Sequence, residues 1–194
     1  MLDALKYHAR HIFDFNGRDA RQTFWYWFLS LFIVNMVVGG AMSVPMVAGS
    51  MASAFEGARS GDPQAAQAAM MSRMAGYMRP LMMGGIALGL LNIALLAAPF
   101  VRRLHDSGKS GIWAAIAGLV YLGSLWSSWR NFDLVISTMQ EMAAAASAAE
   151  RMEAQAHLAW QSLLGYVPIV MVIVFGVLKS DPAANRYGQE PVSF

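Results

Sequence analysis

Residues 81–113 read LMMGGIALGLLNIALLAAPFVRRLHDSGKSGIW. The first part, 81–101, carries no charge. The next ten residues then bring two arginines, a histidine, an aspartate, a lysine and two serines, before a second apolar run opens at Ile112. A helix needs about 20 apolar residues to cross the hydrocarbon of a bilayer. The stretch therefore reads as a membrane span, a polar turn at the surface and the start of a returning span.

Working outward, residues 24–44 (FWYWFLSLFIVNMVVGGAMSV) form a second uncharged run of span length. Residues 112–129 are shorter, with Trp113 at one end and Trp126 and Trp129 at the other. Residues 159–178 hold only Gln161 and Ser162 as strongly polar members. Tryptophan and tyrosine favour the headgroup zone, so Trp25, Tyr26 and Trp27 fit the entrance to a span. A spanning backbone must satisfy its own hydrogen bonds, and without the alternation of a barrel that means helix. The expected fold is all-α: a polytopic membrane protein with four transmembrane helices and helical outer connections.

Composition agrees. The chain of 194 residues is 57% hydrophobic and 13% charged, about half the charged fraction of a soluble domain. A soluble fold of this length cannot hide so much apolar surface. The formal charge of +2 is too weak to suggest nucleic acid. There is no cysteine, so disulfides, thiolate metal sites and cysteine nucleophiles are excluded.

Loop charges predict the orientation. Lys6, Arg10, Arg18 and Arg21 precede the first span, Arg102, Arg103 and Lys109 fill the second connection, and Lys179 and Arg186 lie in the tail 179–194. These regions hold nine of the 14 basic residues. The two outer connections hold Arg59, Arg73, Arg79, Arg130 and Arg151 over many more positions. The positive-inside rule then places both termini and the RRLHDSGKSG turn in the cytoplasm. Ala52-Ser53-Ala54 resembles a leader cleavage site, but the apolar run before it exceeds the 7–15 residues of a signal core. It reads as an uncleaved span.

The outer connections, roughly 50–80 and 130–158, are rich in Ala, Met, Gln and Glu, which favour helix. EGARSGDP at 56–63 predicts a turn, with a helix opening near Pro63. In the segment 1–23, Leu2, Leu5, Ala9 and Ile12 share one face of a short helix, which suits an interfacial position.

Chemistry in the RRLHDSGKSG turn has competing readings. Gly108-Lys109-Ser110 lacks the P-loop glycine five residues earlier, where Arg103 stands, and follows a span rather than a strand. His105-Asp106-Ser107 holds triad residue types, but neighbours in sequence rarely face one reacting atom. The histidines His8, His11 and His157 are too scattered to complete a metal site. The plain reading is a turn in which Arg102 and Arg103 face lipid phosphates, Ser107-Gly108 breaks the helix and Ser110 caps the next one. That reading explains the arginines and the glycines, but a generic turn does not call for the His105-Asp106 pair. Two patches lie on the same side: FNGRDAR at 15–21 and NRYG at 185–188. If the three converge, Asp106 is a partner for Arg18, Arg21 or Arg186, or the arginines jointly hold an anionic headgroup.

Met70, Met74, Met78 and Met82 recur four apart, with Met71 and Met83 beside them. Thioethers can bind Cu(I), but with no His or Cys nearby they read as helix-packing residues. Gly85 and Gly89 form a GxxxG that permits close helix contact. Pro45, Pro99 and Pro168 mark kinks. Asn35 and Asn92 are the only mid-span polar candidates, and no span carries the buried ionisable group expected of an ion-coupled transporter.

FNGRDARQTFWYWFL at 15–29, RRLHDSGKSGIW at 102–113 and NRYGQEP at 185–191 together resemble domain-of-unknown-function family 805. That resemblance implies a small helical protein of the bacterial inner membrane, and it supplies no activity, substrate or catalytic residue. The long outer connections depart from the family pattern. The site residues expected to bind or clasp are Arg18, Arg21, Arg102, Arg103, His105, Asp106, Lys109, Ser110, Asn185, Arg186 and Tyr187. No cofactor, no metal and no nucleic-acid partner is expected; the expected partners are membrane lipids with anionic headgroups, a second copy or another membrane protein. A non-enzymatic binding or scaffolding component is the leading function. A small oligomeric transporter or channel is the alternative, and a lipid-headgroup enzyme using His105 and Asp106 comes third.

Overall fold

The computed structural model describes residues 1–144 and 148–191, with side chains described only in part over 63–68, 139–144 and 148–164. It is all-helical, with no strand among the described residues. The helices are α1 (Leu2–Arg10), α2 (Arg21–Ser60), α3 (Pro63–Asp106), α4 (Ile112–Arg130), α5 (Phe132–Ala144) and α6 (Ala148–Val177). Among the described residues α2, α3 and α4 are long and apolar enough to cross a membrane, and α6 contributes a shorter apolar stretch, Gly165–Val177. Val37 and Leu119 are 66% and 69% exposed, a cost in water of about 25 cal/mol for each Å² that lipid removes.

The two longest helices outrun the spans read from sequence. With 40 and 44 residues, α2 and α3 are each about 60 Å or more long, roughly twice the hydrocarbon thickness. EGARSGDP is mostly helix rather than turn: α2 continues through Ser60, and only Gly61 and Asp62 reverse the chain. Gly61 adopts a left-handed φ of 68°, the conformation that ends a helix at low cost when no Cβ is present. Asp62 then accepts the Ala65 N–H on its Oδ1 at 3.0 Å, and Pro63 occupies the first helical position. The Ala-rich stretch at 145–147 and Phe194 lie outside the described residues.

The chain divides into two compact units, 1–32 with 89–194, and 33–88. The second is a helical hairpin of the facing parts of α2 and α3. A Cβ at Gly84 would fall 1.8 Å from the Met42 methyl, and one at Gly49 would meet Tyr77 at 3.1 Å. Arg73 pairs with Glu56 at 3.4 Å. The methionine stripe belongs to this hairpin, and no metal-binding group of His, Cys, Asp or Glu occurs among the described residues.

In the first unit, Phe24, Phe100, Leu104, Ala117 and Val172 form the apolar core, supported by Trp25, Phe28, Leu96, Met171 and Phe175. This joins the start of α2, the end of α3, α4 and the end of α6. Trp27 donates its indole N–H to the Leu95 carbonyl at 3.0 Å. Of the GxxxG pair, Gly89 lies against Tyr121 and Leu125, whereas Gly85 faces open space. Helix α1 packs on the protein through a side other than its Leu2, Leu5, Ala9, Ile12 face. Ala4 and His8 are its buried residues, and Leu2 is exposed. Burial here follows a polar anchor, His8, rather than the aliphatic stripe.

Candidate functional site: a buried arginine–aspartate cluster at the helix ends

The C-terminus of α3 organises the site, because a helix leaves its last four carbonyls without partners in the helix. Gly108, with φ of 69°, closes the helix in a Schellman arrangement. Its N–H bonds the His105 carbonyl at 3.1 Å, and the Lys109 N–H bonds the Leu104 carbonyl at 2.9 Å. The remaining acceptors draw in the other two patches. The Asp19 N–H reaches the Arg102 carbonyl at 3.1 Å, and the Asp181 N–H reaches the Asp106 carbonyl at 2.8 Å. Asn185 donates to the His105 carbonyl at 2.9 Å. A Cβ at Gly108 would lie 2.8 Å from the Asp181 carboxylate, so both the backbone sign and the space call for glycine there.

Asp106 is fully buried and shared. Arg18 donates to its Oδ1 through Nε at 3.2 Å and Nη2 at 3.1 Å. Arg103 and the Ser180 hydroxyl both donate to Oδ2 at 2.5 Å. The rest of the Arg18 guanidinium gathers the tail, bonding the Asp181 and Ala183 carbonyls at 2.7 Å each and Gly188 at 3.4 Å. Arg103 caps α6: its Nε reaches the Gly176 carbonyl at 3.1 Å and its Nη2 reaches the Leu178 carbonyl.

A second centre surrounds Arg102, which is also fully buried. Its Nε donates to Asp19 Oδ2 at 3.0 Å, its Nη1 to the His11 carbonyl at 2.9 Å and to that of Asp14, and its Nη2 to His8 Nδ1 at 3.0 Å. A guanidinium only donates, so His8 Nδ1 must accept. The ring is therefore the neutral tautomer whose Nε2–H bonds the Thr23 carbonyl at 3.3 Å. Tyr7 donates its hydroxyl to Asp19.

Three buried arginines face two buried aspartates, an excess of one positive charge. The carbonyl ends of α1, α3 and α6 carry the compensating negative dipole. This is why the arginines that the turn reading sent toward lipid phosphates are inside instead. Each finds a carboxylate or helix-end carbonyls, or both, whose geometry fixes the whole fork.

The structure brings Arg18, Arg102, Arg103, His105, Asp106 and Asn185 together. Tyr187 joins them by stacking on His105 at 3.7 Å between ring centres, while His105 Nδ1 donates to the Gly17 carbonyl at 3.2 Å. Arg21, Lys109, Ser110 and Arg186 remain exposed. Arg186 lies over the Tyr187 ring at 4.6 Å, so of the proposed partners for Asp106 only Arg18 reaches it. Ser110 Oγ accepts the Ile112 N–H at 3.3 Å, although the helix itself is capped one residue later, at Gly111. His8, Asp19, Ser180 and Asp181 escaped sequence reading. Charge balance held the signal for Asp19: a second arginine beside the first asks for a second carboxylate.

Burial pushes the Asp19 carboxyl up to about 6 despite the opposing Arg102 charge. Burial and, next, Arg102 push His8 down to about 4. Asp19 contributes stability that is present below its unfolded value near 3.8 and lost as pH rises through about 6. His8 contributes stability present above its unfolded value near 6.5 and lost as pH falls through about 4. From pH 4 to 6 the two slopes oppose each other. The expected result is a melting temperature that this pair leaves flat over that window. In His8→Asn the unfolding free energy should instead fall as pH rises from 4 to 6, by up to about 1.4 kcal/mol per pH unit, and the melting temperature with it. Parallel wild-type and variant profiles would refute the compensation.

The fold and the cluster define a class, a helical membrane protein whose helix ends are closed by buried arginines and aspartates. The chain belongs to the family described as "Protein of unknown function (DUF805)", whose model matches residues 12–189. No curated protein and no solved structure matches it.

Proposed function

We propose that the protein is a non-enzymatic component of a bacterial cytoplasmic membrane, a four-span scaffold with both termini on the cytoplasmic side. The buried cluster makes the N-terminal segment, the α3–α4 turn and the tail one rigid collar. The exposed rim of that collar meets anionic lipid or a membrane-protein partner. The observation that carries this reading is the saturation of Asp106. Two guanidinium groups, a hydroxyl and full burial leave its carboxylate held rather than presented.

Reporter fusions at Phe194 and Ala144 test the orientation: the first should be active in the cytoplasm and the second outside, and an external Phe194 overturns it. Headgroup hydrolysis by the purified protein that disappears in His105→Ala would overturn the non-enzymatic reading.

A further inference from the structure

At one edge of the rim two exposed cations flank the apolar core without a carboxylate partner among the described residues. Arg21 opens α2, one turn before Trp25, and Lys179 follows the last turn of α6. These two helix ends are bound together. Trp25 donates its indole N–H to the Gly176 carbonyl at 3.2 Å, the same carbonyl that accepts from Arg103. Gly176 allows the approach, since a Cβ there would meet Phe24 and Trp25 at 3.0 Å.

Arg103 ties both cations to one locality. Its guanidinium holds the Leu178 carbonyl, adjacent to Lys179, and it lies within electrostatic range of Arg21. Among the described residues the carboxylate hydrogen-bonded to Arg103 is that of Asp106, already shared with Arg18 and Ser180. Neither Arg21 nor Lys179 has an ion pair among the described residues, both are exposed, and the first turn of α2 holds no acidic residue.

Both cations immediately flank apolar runs, so in a bilayer they stand at headgroup depth beside Trp25 and Trp113, the level such rings prefer. Trp113 packs on Phe175 of the same α6 turn, with ring centres 5.6 Å apart. We propose that Arg21 and Lys179 form a site for the phosphate of an anionic phospholipid, seated where the start of α2 meets the end of α6. The site deepens the reading of the collar as a lipid-contacting rim and rests on it. It relocates that contact, because Arg102 and Arg103 have their donors turned inward.

The test uses the full chain in detergent with a mixture of phosphatidylglycerol and phosphatidylcholine, read by native mass spectrometry. The wild type should retain phosphatidylglycerol preferentially. Arg21→Gln with Lys179→Gln should weaken that retention about tenfold at low salt, two surface cations each adding on the order of a few-fold. Arg59→Gln with Arg130→Gln, exposed cations outside the collar, should leave it unchanged. Equal retention by the Arg21/Lys179 variant and wild type overturns the site. Displacement of the lipid by millimolar inorganic phosphate overturns the lipid as the ligand and assigns a free anion instead. If the double variant does not accumulate, each single variant gives the same reading at a smaller fold-change. Lost lipid preference with unchanged protease resistance of the tail supports the site. Loss of that resistance in a rim variant would count against the rigid collar itself.

Discussion

Replacing Asp106 by alanine is expected to destabilise the protein by about 3–5 kcal/mol, the cost of leaving a buried charge without its partner. Here two guanidinium groups lose one shared carboxylate, and the Ser180 hydroxyl loses its acceptor. Against a total stability of about 5–15 kcal/mol, the loss should lower the melting temperature markedly and reduce the amount of protein in the membrane. Asp106→Asn keeps a carbonyl oxygen for Arg18 but removes the charge, so it should fall between wild type and Asp106→Ala. Membrane abundance and the melting temperature in detergent measure both. Normal abundance of Asp106→Ala would mean that the carboxylate is not what joins Arg18, Arg103 and the tail.

Arg102→Met should cost a similar amount, about 3–5 kcal/mol, by a different route. It strands the buried Asp19 carboxylate and leaves His8 Nδ1 and the carbonyls of His11 and Asp14 without their donor. Because those carbonyls end the N-terminal segment, the variant should also release residues 1–20 to protease. Phe13, 77% exposed, offers a ready cleavage site. The diagnostic is the double variant with Asp19→Leu, which removes both charges. A buried pair replaced by apolar residues is often tolerated better than one broken in half, so the double should be more stable than Arg102→Met alone. Strict additivity of the two losses would exclude coupling between them.

Much of the fold was legible because helix formation and membrane insertion are sums over neighbouring residues. The uncharged runs 24–44 and 81–101 lie inside α2 and α3, and Asp62-Pro63 opens α3 as its chemistry requires. The extension of α2 through EGARS was missed, since Glu56 to Ser60 read as turn by composition while the helix persists to the first left-handed glycine. The protein-facing side of α1 is not legible locally, because His8 is buried there only by its bonds to Arg102 and the Thr23 carbonyl, residues distant in sequence. The resemblance carried by FNGRDAR, RRLHDSGKSG and NRYG is matched by the family assignment over residues 12–189.

Sequence alone determined that VRRLHDSGKSG terminates one helix at Gly108 and begins another, and that three polar patches sit at the ends of apolar helices. Only the tertiary structure decided the partners: Arg18 for Asp106 across 88 positions, Arg102 for Asp19 across 83. It also decided that Arg102 and Arg103 face inward while Arg21 and Lys179 face out. The reason is physical. Hydropathy assigns an arginine near a span end to the headgroups, because it scores each charge as if solvated. The cost of burying that charge is offset only when a carboxylate and the orphan carbonyls of several helix ends arrive together, and their meeting depends on distances in space that no local stretch contains.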